Sequence, residues 1–251
     1  MNTTSWNRRE MLALAAAAQV RPGLAQIGDG GSFDSVKQLL QGKEPLTWVF
    51  TGDSITHGAL HTMGWRSYVE IFAERVRFEL RRSRDIVINT GISGNRMTGL
   101  VPDAEWRVYR FQPQVVSLMM GMNDCVAGPA GRETYRAELT KFLAMLIERK
   151  SLLLLHTPNP IVIIDPAKEL RKDLPAYVDI LRKFASDNAV PLIDHYQQWQ
   201  ETRKDLYSMI YVLNDANIHP NHFGHILLAN LLFEKLGIFD PASRVCRMFI
   251  P

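Results

Sequence analysis

The chain has little of what marks the specialised classes of protein. Two cysteines, Cys125 and Cys246, in 251 residues are too few for a disulfide framework. Export would permit a bond between them, but two small buried apolar side chains is the preferred reading. Beyond the first 25 residues no run approaches the roughly 20 apolar residues that span a bilayer. No basic block of five or more residues occurs; Arg81-Arg82-Ser83-Arg84 is the densest run and reads as the solvated end of a helix. The formal net charge is only +3, and Arg8, Arg9, Arg21 and Glu10 put +2 of it in residues 1–25. The nearly neutral remainder argues against a nucleic-acid binder driven by phosphate neutralisation. No internal repeat and no low-complexity tract appears. What is there is ordinary globular composition, 46% hydrophobic and 22% charged, enough for one sizeable core.

The N-terminus reads as a targeting segment. Arg8-Arg9 stands just before the uncharged stretch Met11 to Val20, too short to cross a bilayer but matched to the apolar region of an export signal. Gly23-Leu24-Ala25 offers small residues for cleavage after Ala25. The paired arginines resemble a twin-arginine signal, so an exported protein, periplasmic or extracellular, is expected. The alternative is a frayed amphipathic helix. Four regions follow: a leader over 1–25, a Gly-rich linker and short helix over 26–45, one domain over 46–240, and a tail over 241–251.

Apolar runs and punctuation give the elements of that domain. Strands are predicted at Thr47–Thr51, Ile86–Thr90, Val115–Met120, Leu152–Leu155 and Val190–Ile193, with Ile161–Ile164 as a minor strand. Helices are predicted at Phe33–Gln41, Trp65–Arg82, Thr134–Arg149, Pro175–Asn188 and Phe223–Leu236, the last closed by Gly237. The strands are short and continuously apolar, as strands buried on both faces are. Strand and helix alternate, which predicts a three-layer α/β/α sandwich on a five-stranded parallel sheet. In such folds ligands bind at the carboxyl ends of the strands. Ser54, Gly91–Gly94, Gly121–Asp124 and His156–Asn159 all fall there.

These strand ends carry chemistry. Gly52-Asp53-Ser54 is either plain turn chemistry or a serine held above the sheet edge within reach of a base. His219, flanked by Pro220 and Asn221, is either a capping residue or that base, since imidazole titrates near neutrality. Asp215, four residues upstream, is close enough in sequence to orient the ring. Asn123 can donate its amide hydrogen, and Gly94 its backbone N–H, to an oxygen that becomes negative. With the Ser54 N–H this makes three donors, and loss of one such donor typically costs about 2.7–4 kcal/mol of transition-state stabilisation.

Gly52-Asp53-Ser54, Asn89-Thr90-Gly91-Ile92-Ser93-Gly94, Gly121-Met122-Asn123-Asp124 and His219-Pro220-Asn221 occur in that order. The set resembles the SGNH hydrolase superfamily, the GDSL esterases, and spans residues 52 to 221. The resemblance implies a flavodoxin-like SGNH hydrolase fold, Ser54 as nucleophile, Ser54, Gly94 and Asn123 as the oxyanion hole, and His219 as general base. One position departs from it. The superfamily most often writes its acid three residues before the histidine, where this chain has Ala216. Asp215 takes the role if the loop path is altered; a Ser–His pair oriented by a backbone carbonyl is the alternative, and Asp165, in what reads as a structural turn, is a distant third.

His61, Trp65 and Arg66 follow the nucleophile loop and, with Met63, are candidates to line the substrate; Trp65 reads equally as packing at a helix start. His57 and His61, or His219, His222 and His225, recur at short intervals, but no acidic partner accompanies them at metalloprotease spacing. The chemistry implied requires no metal or organic cofactor. The expected function is an exported serine ester hydrolase that favours short acyl groups, with O-acetyl groups on carbohydrate in view and no stable membrane insertion. The alternatives are a lysophospholipase or longer-chain acyl hydrolase, an O-acyltransferase, and an inactive binding protein on the same fold. A small-molecule or carbohydrate ester is the expected partner.

Overall fold

A computed structural model describes residues 32–58, 60–167, 169–214 and 218–248. The leader of residues 1–25, most of the linker after it, and Asp215 and Ala216 lie outside the described residues. Leading into the sheet is helix α1 (Asp34–Gln41). Strand β1 (Thr47–Gly52) pairs in parallel with β2 (Ile86–Asn89) on one side and β3 (Val115–Met119) on the other. Next come β4 (Leu152–His156) and β5 (Leu192–Ile193), also parallel, in the order β2-β1-β3-β4-β5. The five-stranded parallel sheet expected from the sequence is therefore present. Every residue of β3 is buried, as its unbroken Val-Val-Ser-Leu-Met run requires. Edge strand β2 is exposed at both ends. From β1 the chain moves outward to β2, then returns to β3 on the other side of β1. That reversal opens a crevice between the carboxyl ends of β1 and β3.

Helices cover the sheet. On the face of Trp48 and Phe50 lies α3 (Tyr68–Glu74), whose Phe72 ring sits 5.0 Å from Trp48 and 4.9 Å from Phe50. The last helix, α6 (His222–Leu236), packs beside it through Phe233, 6.4 Å from Phe72. Elsewhere α4 (Gly128–Glu148) and α5 (Leu174–Asp187) meet through Tyr135 and Tyr177, 5.0 Å apart. Cys125 and Cys246 are buried free thiols. No described helix is long and apolar enough to cross a membrane.

Three expectations need correction. Trp65–Arg82 is not one helix. Ser67 and Glu70 form a capping box that starts α3 at Tyr68, and the helix widens into a π turn over Arg75–Glu79. The π turn sets Arg75 against Glu79 at 2.8 Å while the guanidinium also holds the Ile238 carbonyl. Of the basic run after it, Arg81, Ser83 and Arg84 are exposed as expected, but Arg82 is not. Arg82 turns inward, pairs with Asp85 at 2.9 Å and donates to the carbonyls of Leu40 and Glu44. Finally, Ile161–Ile164 is not a strand. Pro158 and Pro160 precede it, and β4 already has β3 and β5 as neighbours; Ile163 and Ile164 are exposed.

Candidate active site

Ser54 is the first residue of a short helix, α2 (Ser54–His57), directly after β1. Its N–H belongs to the first turn, where amides have no partner within the helix. Asp53 caps the helix by accepting the Ile55 N–H at 3.0 Å. Gly52 is required by proximity rather than by turn angles. A Cβ there would lie 2.4 Å from both the Met119 carbonyl oxygen and Thr56 Oγ1.

His219 Nε2 lies 2.8 Å from Ser54 Oγ across 165 residues of sequence. The ring sits at a pinched loop. Leu213 pairs with Pro220 as an isolated antiparallel bridge, the Asn214 N–H donates to the His219 carbonyl at 2.8 Å, and the Asn221 N–H donates to the Val212 carbonyl at 2.9 Å. Asn221 also caps α6 through the N–H groups of Phe223 and Gly224. His61 lies flat on the His219 ring, centroids 3.6 Å apart, while the Asn214 side chain donates to the His61 carbonyl at 2.7 Å.

Behind β2, the Asn89 side chain donates to the Thr56 carbonyl at 2.7 Å, and the Ile92 N–H donates to the Gly52 carbonyl at 3.0 Å. This ties the Gly91–Gly94 loop to the turn that carries Ser54. Gly94 has φ +77, a left-handed conformation that favours glycine. Asn123, 8% exposed, donates one amide hydrogen to the Asn95 carbonyl at 3.2 Å and accepts from Arg171 Nη2 at 3.1 Å. The donors expected from the sequence thus lie on loops bonded to one another. Trp65 is exposed and stacks on His222 at 4.9 Å. Arg66 is ion-paired with Glu74 and donates to Met248 Sδ. Asp165 accepts the Ala167 N–H at 3.0 Å, as a turn residue does.

Electrostatics single out two carboxyls the sequence reading passed over. Asp53 and Asp124 directly adjoin Ser54 and Asn123, and both are buried. Burial pushes Asp53 up to about 7, against the pull of the Ile55 N–H, with Asp124 adding to the rise. It pushes Asp124 up to about 6, against the pull of the Met97 N–H. Each keeps one oxygen without a hydrogen-bond partner. Arg107 is buried as well, and joins β1 to β2 by donating to the carbonyls of Gly52 and Thr90 at 3.2 and 2.7 Å. On the α3 face, Ser117, His156 and His195 form a buried chain with links of 2.8 and 2.9 Å. His225 accepts the Tyr68 N–H at 3.1 Å. Among the described residues no three His, Cys, Asp or Glu side chains cluster as a metal site would.

A serine bonded to an imidazole, with amide donors on the neighbouring strand ends, is equipped for acyl transfer. The family model for GDSL-like lipases and acylhydrolases matches residues 50–227. The chain belongs to the GDSL-like lipase/acylhydrolase family. This acylhydrolase is 28% identical over 217 residues to an acetylxylan esterase from Geobacillus stearothermophilus, covering 78% of this chain and 96% of that protein. It is 26% identical over 199 residues to an uncharacterised protein of Mycoplasma pneumoniae, of which the match covers 21%. Among solved structures it resembles Axe2, an acetylxylan esterase from G. stearothermophilus (TM-score 0.64, 22% identity, 79% of this chain and 97% of that one). It also resembles LAE5, an α/β hydrolase enzyme from the metagenome of Lake Arreo, Spain (TM-score 0.64, 22% identity, 79% and 99%). These structural likenesses concern the fold. The acylhydrolase is a carboxylic ester hydrolase.

Proposed function

We propose that the acylhydrolase is exported and removes short acyl groups, O-acetyl groups on carbohydrate first among them, through an acyl-serine intermediate. The observation that carries the mechanism is the 2.8 Å contact between Ser54 Oγ and His219 Nε2. His219 takes the hydroxyl proton as Oγ bonds to the ester carbonyl carbon. The oxygen that becomes negative is held by the N–H groups of Ser54 and Gly94 and the Asn123 amide. Collapse expels the alcohol, which receives its proton from His219. Water then gives a proton to the same ring as its oxygen bonds to the acyl carbon, and the ring passes that proton to Ser54 Oγ as the acid leaves. Asp215 serves as the acid behind the base; it is bonded in sequence to Asn214, whose N–H donates to the His219 carbonyl. The acetyl-carbohydrate reading is supported by similarity to an acetylxylan esterase over nearly all of that protein's length. The twin arginines at Arg8 and Arg9 support export.

A longer-acyl reading is favoured by one observation. Met63, Trp65 and Leu170 are exposed apolar side chains on the segments that carry His61 and Arg171. A series of p-nitrophenyl esters from acetyl to dodecanoyl, run beside acetylated xylooligosaccharides, separates the readings. The proposal expects kcat/KM to be highest for acetyl and to vanish in Ser54→Ala. A maximum at octanoyl or beyond would replace it with the longer-acyl reading. Transfer of acetyl to added sugar in preference to water would make the enzyme a transferase.

A further inference from the structure

We infer that Arg171 is a positioning residue for the oxyanion hole, acting through the Asn123 side chain. The inference rests on the reading of Asn123 as an oxyanion donor. Arg171 lies in the connection between β4 and α5, a segment that holds none of the motif residues. Its guanidinium spans two neighbouring oxygens at the end of β3: Nε donates to the Met122 carbonyl and Nη2 to Asn123 Oδ1, each at 3.1 Å. A planar fork with donors in fixed directions suits such a pair; a lysine ammonium, a point charge, does not. The Arg171 backbone is itself held, its N–H donating to Glu169 Oε1 at 2.8 Å, and the nearby Asp173 is ion-paired with Arg132.

A carboxamide has two ends of similar shape and opposite polarity, and only the nitrogen end can stabilise an anion. Arg171 decides which end faces the reaction. With Oδ1 against the guanidinium, Nδ2 gives one hydrogen to the Asn95 carbonyl at 3.2 Å and has a second for the substrate. Turned over, the amide would set its NH₂ against the guanidinium donors and its oxygen against the Asn95 carbonyl, losing both bonds and gaining two repulsions. A charged donor on Oδ1 also polarises the amide and strengthens its N–H as a donor. The field of this cation reaches beyond Asn123, since it pulls the pKa of both Asp53 and Cys125 downward, against the burial that raises them.

The test is a double-mutant cycle on acetyl ester hydrolysis by the full chain, with kcat expressed per serine that reacts with a fluorophosphonate, so that misfolded molecules do not count. Arg171→Gln is expected to lower kcat roughly 10- to 100-fold, the range of groups that orient a catalytic partner, with KM changed by less than about three-fold. In the Asn123→Ala background the same substitution is expected to change kcat by less than about two-fold, because the amide it orients is gone. Guanidinium added to Arg171→Ala is expected to restore part of the lost rate. Equal losses in both backgrounds, or a kcat for Arg171→Gln within about two-fold of wild type while Asn123→Ala is impaired, would overturn the role of Arg171 and leave the oxyanion reading intact. Full activity in Asn123→Ala would overturn that reading and the inference with it.

Discussion

The imidazole of His61 lies on that of His219 with planes 11° apart and centroids 3.6 Å apart. A base that must move a proton between serine, alcohol and water profits from a ring held in one plane. His61→Ala is expected to lower kcat about ten-fold with little change in KM, and His61→Phe, which keeps a flat ring in the stack, to retain most of the rate. Steady-state kinetics on an acetyl ester check this; equal losses in the two variants would show that the flat ring is not what matters.

Asp215 is the proposed acid, although it stands one residue further from His219 than the superfamily pattern has it. Asp215→Asn is expected to lower kcat by roughly 10²–10⁴ at neutral pH, as loss of the orienting acid does in other triads, while Asp165→Asn stays within about two-fold. An undiminished rate in Asp215→Asn would leave a Ser–His pair oriented by a backbone carbonyl.

Asp53 gives stability a slope against pH. Its folded pKa, about 7, lies above the ordinary 3.8, so between those values the folded chain binds more proton than the unfolded one. Its contribution is therefore full below about pH 4 and is lost as pH rises through about 7, at up to about 1.4 kcal/mol per pH unit. Asp53→Asn keeps an oxygen to accept the Ile55 N–H and carries no charge. It is expected to match wild type near pH 4 and to exceed it above pH 7, by on the order of 1–4 kcal/mol. Urea titrations across that range measure the difference, and parallel curves would remove Asp53 as the cause.

The buried histidines act in the opposite sense. Burial holds His195 and His225 down to about 3, and His156 well below its usual value. Their contribution is full above about 6.5 and is lost as pH falls toward 3. His225→Asn, whose side-chain oxygen can still accept the Tyr68 N–H, is expected to flatten the loss of melting temperature between pH 6.5 and 4.5. An unchanged slope in differential scanning fluorimetry would assign that loss to other groups.

Much of this was legible in the residues. The apolar runs at Thr47–Thr51 and Val115–Met120 are strands within a residue at either end, because strands buried on both faces leave no polar interruption. Ser54 was readable because it follows Gly52-Asp53 at the end of an apolar run, and His219 because Pro220 and Asn221 flank it just before the last helix. The helix at Trp65–Arg82 was misjudged because its apolar stripe continues through the π turn, and stripes report burial rather than winding. Ile161–Ile164 was misjudged because an apolar run has no signal for a missing neighbour. Arg171 looks, in Glu169-Leu170-Arg171-Lys172-Asp173, like one charge among several; only the fold brings it to Asn123. The burial of Asp53 was equally hidden, since an aspartate before a helix ordinarily faces water.

The pairing of Leu213 with Pro220 works as a neck. Val212–Asn214 and His219–Asn221 are tied to each other by backbone bonds on either side of it. The imidazole is therefore placed by this tie, and not by the number of residues between Asn214 and His219.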